Sequence, residues 1–436
     1  MTSAEEVLTI VGGAPVEGRV TVRGAKNSVP KSMVAALLTS KPCRITNIAE
    51  VRDIDVVSRL ISALGGTVER DGDSMEITAR TLKAPSPEEL EEAHGQSRIP
   101  ILICGPLLHR LGAVTIHQPG GCEIGPRPID MHLDALKSFG AVVEELPEVI
   151  RLTADRLRGC KLTLPYPSVG ATEQVLLTGV LADGETELSN AAIEPEILDL
   201  ITVLQKMGAI ISVQPGRVIH IDGTRSLRAF THRSMPDRLE AASWACAALA
   251  TNGCVSVSGV AQLDMMTFLN VFRKAGGEFD ISGETITFYR VANLLRPLAL
   301  ETDVHPGFMT DWQPPLVTAL TQAQGVSVLH ETVYENRLGY THALNSLGAN
   351  IQTFRECLGP SPCRFGRRNH LHSAVVVGQT KLQGGDLYVP DLRGGFSYVI
   401  AALVADGVSR VHNARLIERG YESFRDKLVA LGVELL

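Results

Sequence analysis

Aromatic residues are scarce in this chain: Phe, Trp and Tyr together make up 5% of its 436 residues. Rings of that kind build the stacking platforms that hold single-stranded nucleic acid, so that class is disfavoured. A basic excess is also missing. Lys and Arg number 41 against 48 Asp and Glu, a net charge of −7, and a general nucleic-acid binder carries the opposite balance. No apolar run approaches the roughly 18 residues of a membrane helix. The longest, over 99–108, is interrupted by Pro100, Gly105 and Pro106. The opening MTSAEEVLTI is acidic and lacks a basic segment followed by an apolar one, so a cytoplasmic protein is expected. Eight cysteines are too few for a disulfide scaffold of this length, and no CxxC pair suggests a structural zinc. Most of them should be small buried hydrophobes. His370 and His372 lie beside the basic stretch RFGRRN and read as part of an ordinary loop. A Walker A loop, a GxGxxG fingerprint and an HExxH helix are all absent, so neither a nucleotide-hydrolysing site, a dinucleotide cofactor nor a metal is expected.

What is present is repetition. An apolar, helix-like stretch ends in a glycine and runs into a short strand six times, as in LISALGGTVER, LDALKSFGAVVEE and ITVLQKMGAIISV. The helix-ending glycines are Gly65, Gly140, Gly208, Gly276, Gly348 and Gly432, between 68 and 84 residues apart. A second motif alternates with the first: an almost wholly apolar helix, a turn, then a strand with period-two alternation, as in LLTGVLADGETELSN and ACAALATNGCVSVSG. Helices apolar all round must be buried all round, so helices inside and sheets outside is the simplest packing. Six units of about 70 residues exceed the period of a solenoid and suit two globular domains of three units each. A hinge is expected around 231–236 (THRSMP), and two domains imply a ligand cleft.

Four stretches resist a purely architectural reading. In RGAKNSVPK, Lys26 and Asn27 follow a glycine just before a helix, where a lysine can hold an anion. In HQPGGCEIGPRPID, a long loop rich in Gly and Pro carries Cys122 at its tip and Arg127 five residues on; that cation can lower the thiol pKa and bind an anion. In ETDVHPGFMTDWQPPL, Asp311 precedes an apolar helix, as a general base, a ligand to sugar hydroxyls or a simple N-cap. Finally, Arg98, Arg127, Arg337, Arg393 and Arg419 fall at loop-to-helix junctions of the repeats, a set suited to phosphate and carboxylate groups.

With RGAKN, PGGCEIGPRPID, SVGATE, NAAIEPEI, HPGFMTDWQ, ETVYENR, DLR and ERGYE in this order, the chain resembles, almost end to end, the enolpyruvyl transferases that act as UDP-N-acetylglucosamine 1-carboxyvinyltransferases in peptidoglycan synthesis. The combination of the cysteine loop with a downstream TDxQ is the specific part; the shikimate-pathway relatives share the fold and lack that loop. The resemblance implies an α/β fold of two inside-out, barrel-like domains of three units each. One would span 23–234 and the other 1–22 plus 235–436, with the active site in the cleft between them. It implies transfer of the enolpyruvyl group of phosphoenolpyruvate to a sugar hydroxyl of a uridine nucleotide, releasing phosphate by addition and elimination, without a cofactor. Lys26, Arg127 and Arg419 would hold phosphoenolpyruvate, Cys122 would act on it as acid or covalent tether, and Asp311 would take the hydroxyl proton. Asn27 and Asp311 would bind the acceptor sugar. Ser168, Val169 and Gly170 would meet its diphosphate, and Arg127, Pro128 and Asp130 would lie on the uracil side. Arg98, Arg337 and Arg393 would complete an anion-rich cleft, and Val333 would be a further substrate contact. The acceptor would be UDP-N-acetylglucosamine, with UMP in nucleoside-antibiotic synthesis as the rival and a non-catalytic sugar-nucleotide-binding regulator as a third reading. The protein would work as a monomer or homo-oligomer. Three departures from the family's pattern bear on the acceptor: Tyr166 and Pro167 before Ser168, Ile99 and Pro100 after Arg98, and a longer stretch over 355–374.

Overall fold

The computed structural model describes residues 7–85, 99–117, 129–291, 295–360, 363–366 and 368–436. They form two compact units. One combines residues 7–23 with the described part of 236–436, and the other contains the described residues from 24 to 235.

Each unit carries three small sheets, and the wiring recurs. Residues 161–222 show it in full. Strand Lys161–Thr163 leads into helix Val169–Gly179, and the chain returns as strand Glu185–Ser189, parallel to the first. Helix Pro195–Lys206 follows. The hairpin Ile210–Gln214 and Val218–Asp222 then completes the sheet, its second strand antiparallel to Glu185–Ser189. The same order appears with Ala299–Glu301, Gly325–His330, Ile351–Phe354 and Ser373–Gly378 in the other unit.

Two parallel pairings join strands that are far apart in the sequence. Glu17–Thr21 pairs in parallel with Cys254–Ser258, and Thr231–Arg233 pairs in parallel with Cys43–Thr46. Each unit therefore borrows a strand from a distant part of the chain. Strand Val7–Val11 likewise completes the sheet of Val408–His412, so the N-terminal segment belongs with the C-terminal half.

The two helix types in the sequence have the predicted roles. In helix Val169–Gly179 every residue from Ala171 to Gly179 is buried, as is every residue of Gln313–Leu320 and of Arg238–Thr251 up to Ala250. Helix Arg52–Ala63 is amphipathic instead and buries Ile54, Val57, Leu60 and Ile61. Its chain exits through Gly65 at φ +88°, and Gly208 does the same at +102° after Pro195–Lys206. The other four helix-ending glycines share this left-handed conformation, which a Cβ would strain. Each unit has its own apolar core, one including Leu37, Leu136 and Leu176 and the other Trp244, Leu316 and Phe396. Among the described residues no helix is long and apolar enough to cross a membrane.

Candidate active site

The RGAKN turn runs directly into helix Val29–Ala35, whose Pro30 suits a first turn where no amide partner is needed. Lys26 Nζ lies 3.2 Å from Asp53 Oδ2, in the first turn of Arg52–Ala63, and keeps 19% of its side chain exposed. The ammonium is thus held by a buried carboxylate while part of it faces outward. The Asn27 carbonyl accepts a 2.7 Å hydrogen bond from Lys31 Nζ, which also lies 3.5 Å from Glu173 Oε1. Lys31 therefore ties the Asn27 turn to helix Val169–Gly179.

Burial pushes the Glu173 carboxyl up to about 7, Lys31 pulls it back down, and Glu196 and Glu194 add to the rise. Folded Glu173 consequently keeps its proton at a pH where an ordinary carboxyl, at 4.5, has lost it. Stability from this group is complete below about pH 4.5 and is lost as pH rises through about 7. Glu173→Gln is expected to flatten that decline. Urea midpoints measured across this pH range check it, and a slope equal to that of the unsubstituted chain would count against it.

Ser168 caps Val169–Gly179, its Oγ accepting from the Ala171 amide at 3.3 Å. The amides of Val169 and Gly170 lie in that first turn, where no intrahelical acceptor exists and an anion is favoured. Asp130 is the first residue of helix Asp130–Ser138. His132 of that helix packs against Gly170, where an added Cβ would come within 2.9 Å of its ring. A third cluster resembles a hydrolytic triad only in composition. Ser28 Oγ donates to Asp199 Oδ2, and His232 Nε2 is 2.9 Å from Asp199 Oδ1. The carboxylate stands between hydroxyl and imidazole, so it cannot orient the ring as a base for the serine.

In the other unit, Asp311 does not cap the helix it precedes; the N-cap of Gln313–Leu320 is Trp312. Asp311 Oδ1 instead accepts a 2.7 Å hydrogen bond from Arg337 Nη2. Arg337 is 2% exposed in its side chain, and its Nη1 lies 3.8 Å from Asp391 Oδ1. Asp391 is fixed in turn by the Gly394 amide at 3.0 Å. Beneath them Glu331 is fully buried, and burial raises its carboxyl pKa. Its Oε1 accepts from the amides of Val333 at 2.8 Å and Tyr334 at 3.1 Å, and its Oε2 from Thr310 Oγ1 at 2.9 Å. One carboxyl thus joins the Thr310–Asp311 turn to Val333.

Arg393 is the second residue of helix Leu392–Val404. Arg419 closes the short helix Arg415–Glu418 at its C-terminal end rather than opening a helix, because the next helix begins only at Phe424. Arg98, Cys122, Arg127 and Pro128 lie outside the described residues.

Sequence reasoning passed over Asp53, Lys31, Glu173, Glu331 and Asp391. The last four lie inside the motif stretches already quoted. Asp53 carried no signal beyond a carboxylate at a helix start, which is common. The cysteines also need correcting. Of the seven described cysteines only Cys43, Cys104 and Cys246 are buried; Cys254 is exposed, and Cys160, Cys357 and Cys363 are half-buried, the last two beside histidines.

Comparison with known proteins gives the class and then the family. The crystal structure of the enolpyruvyl transferase NikO from Streptomyces tendae matches with a TM-score of 0.88 at 24% identity, covering 99% of this chain and 98% of that one. EPSP synthase from Acinetobacter baumannii matches at 0.74 and 18%, over 99% of both chains. The fold is therefore that of the enolpyruvyl transferases. A sequence profile for EPSP synthase (3-phosphoshikimate 1-carboxyvinyltransferase) matches residues 10–428. A protein of Protochlamydia amoebophila named UDP-N-acetylglucosamine 1-carboxyvinyltransferase is 46% identical, over 99% of this chain and 94% of that one. A Chlamydia muridarum protein of the same name is 42% identical, over 98% of both. The chain belongs to the EPSP synthase family of enolpyruvyl (1-carboxyvinyl) transferases.

Proposed function

We propose that this enzyme transfers the enolpyruvyl group of phosphoenolpyruvate to a hydroxyl of UDP-N-acetylglucosamine, releasing inorganic phosphate. The observation that carries this reading is 46% identity along 99% of the chain to a protein of that name, with the cysteine loop and TDWQ in place. In the addition step, the Cys122 thiol protonates the methylene carbon of phosphoenolpyruvate while the acceptor oxygen bonds to its C2. Asp311 takes the hydroxyl proton. In the elimination step the Cys122 thiolate takes back a proton from the new methyl group, the bond from C2 to the phosphate oxygen breaks and the double bond is restored, and the proton held by Asp311 leaves with the phosphate.

Charge fits these roles. Lys26, Arg127 and Arg419 hold the donor's phosphate and carboxylate, and Arg98 and Arg393 add positive charge to a protein that is acidic overall. Arg337 is committed to Asp311 and Asp391, so it positions the base. Asn27 meets the acceptor sugar, and the first turn at Ser168, Val169 and Gly170 suits its diphosphate. Val333, Pro128 and Asp130 complete the nucleotide contacts. This chemistry acts on water-soluble substrates and needs neither nucleic acid nor a membrane, consistent with a cytoplasmic enzyme.

Phosphate release tests the proposal. It is expected with phosphoenolpyruvate plus UDP-N-acetylglucosamine. Release with UMP alone would move the acceptor to the free nucleotide, and no release with either would leave a sugar-nucleotide-binding regulator.

A further inference from the structure

The described residues of 355–374 lie against strand Gly325–His330, and Cys357, Cys363 and His372 meet His330 of that strand in a group that the transfer reaction does not use. Ligand atoms of His330, Cys357, Cys363 and His372 all lie within 4.8 Å of one another, and among the described residues this is the only such group. Cys357 Sγ is 3.6 Å from Cys363 Sγ and 3.4 Å from His372 Nε2. A tetrahedral zinc with bonds of about 2.0–2.3 Å sets its ligands about 3.3–3.8 Å apart, so these separations suit a shared ion.

The outer contacts favour a metal more strongly than the cluster alone. A ligating histidine usually donates its second nitrogen to a carboxylate or carbonyl, which fixes the tautomer and the ring. Both histidines do this. His330 Nδ1 is 2.7 Å from Glu301 Oε2, and His372 Nδ1 is 2.9 Å from the His370 carbonyl. Both Nε2 atoms are left as acceptors. His330 Nε2 is buried without a hydrogen-bond partner, in a residue with 0% exposure, a costly state that a metal bond would relieve.

The loop is built tightly around the site. A Cβ on Gly359 would collide with Glu301 and His330, and the Phe365 amide donates to Cys363 Sγ at 3.3 Å. Buried Phe365 meets His372 edge to face at 5.9 Å and shields it from water. Two thiolates and two neutral imidazoles cancel the charge of a divalent ion, as a largely buried site requires.

We infer that His330, Cys357, Cys363 and His372 bind a structural zinc ion that clamps the 355–374 segment to its sheet. The donor set is Cys2His2, closed by four protein ligands, with no open position for catalysis. The sequence argued against this on two counts, and each has a physical answer. The cysteines are six positions apart instead of three, but the set is completed from elsewhere: His330 comes from a separate strand and His372 immediately precedes Ser373–Gly378. The basic neighbours do not oppose the ion. Arg364 turns away to the Val333 carbonyl and to Glu335, 3.9 Å distant.

The test uses the full chain without a histidine tag, purified anaerobically and read for metal rather than turnover. About one zinc per chain is expected by elemental analysis, and the double variant Cys357→Ser, Cys363→Ser should lose at least nine-tenths of it. Should that variant fail to fold, cobalt exchanged into the unsubstituted chain decides. It should show a thiolate-to-cobalt charge-transfer band and the intense visible bands of a tetrahedral ion. Removing the metal should also open Arg364 and Arg368 to trypsin. Less than about a tenth of an equivalent after reduction and zinc loading, retention of zinc by the variant, or a Cys357–Cys363 disulfide in the metal-free chain would each overturn the inference.

Discussion

Asp311→Asn is expected to cut turnover by about a hundred- to ten-thousand-fold, the range for losing a positioned general base. The structure makes this a clean substitution. Arg337 Nη2 reaches Asp311 Oδ1 at 2.7 Å, and an amide oxygen can keep that bond, so the side chain should stay in place. What disappears is the ability to take a proton. The Michaelis constant for the nucleotide should therefore move far less than kcat. Arg337→Ala is a useful contrast. It would leave Asp311, Asp391 and buried Glu331 without the guanidinium between them, at a cost of about 3–5 kcal/mol in stability. Comparing melting curves and rates of phosphate release separates the two effects. An Asp311→Asn enzyme that keeps more than a tenth of its activity would remove Asp311 from the chemistry.

Cys122→Ala should be at least as damaging, and an epoxide phosphonate such as fosfomycin should label Cys122 in the unsubstituted enzyme. Six of the other seven thiols are poor competitors for identifiable reasons. Burial pushes Cys43 up to about 11 and Cys104 up to about 12; it also raises Cys246 and Cys160. Nucleophilic attack needs the thiolate, and these groups stay protonated at neutral pH. Cys357 and Cys363 face histidines in the four-residue cluster. Cys254 is exposed and serves as the internal control, since it meets any reagent that reacts by accessibility alone. Peptide mapping should place the phosphonate on Cys122 and leave Cys254 unmodified. Label on Cys254 would reduce the reaction to surface alkylation and refute the assignment of the loop thiol.

These two experiments probe residues that were already conspicuous in the sequence. The cysteine between paired glycines and the aspartate of TDWQ stand out because their surroundings do not fit a helix or a strand. The supporting groups were harder to see. Lys31 and Glu173 are 142 positions apart in the chain, yet they bridge at 3.5 Å. Asp53 has no motif around it, and only the fold brings its carboxylate 3.2 Å from Lys26. Asp311 looked equally like an N-cap, and the fold removes that one role: Trp312 is the N-cap, and Asp311 accepts from Arg337 instead. The zinc cluster shows the limit most plainly: the short-range pattern argued against a metal, and a histidine from another strand changes the reading.

The sequence by itself determined the repeat, the two helix types and the glycine at the end of each outer helix. Those features depend on local periodicity and backbone conformation, which neighbouring residues encode directly. Tertiary structure decided which strands change partners, which carboxylate meets which cation, and where four ligands converge. Such pairings depend on how distant segments pack, and a one-dimensional pattern does not encode that distance. Strand Thr231–Arg233 illustrates the difference. The sequence suggests a hinge here, but the fold makes it a strand paired with Cys43–Thr46, 187 positions away in the chain (Thr231 opposite Arg44).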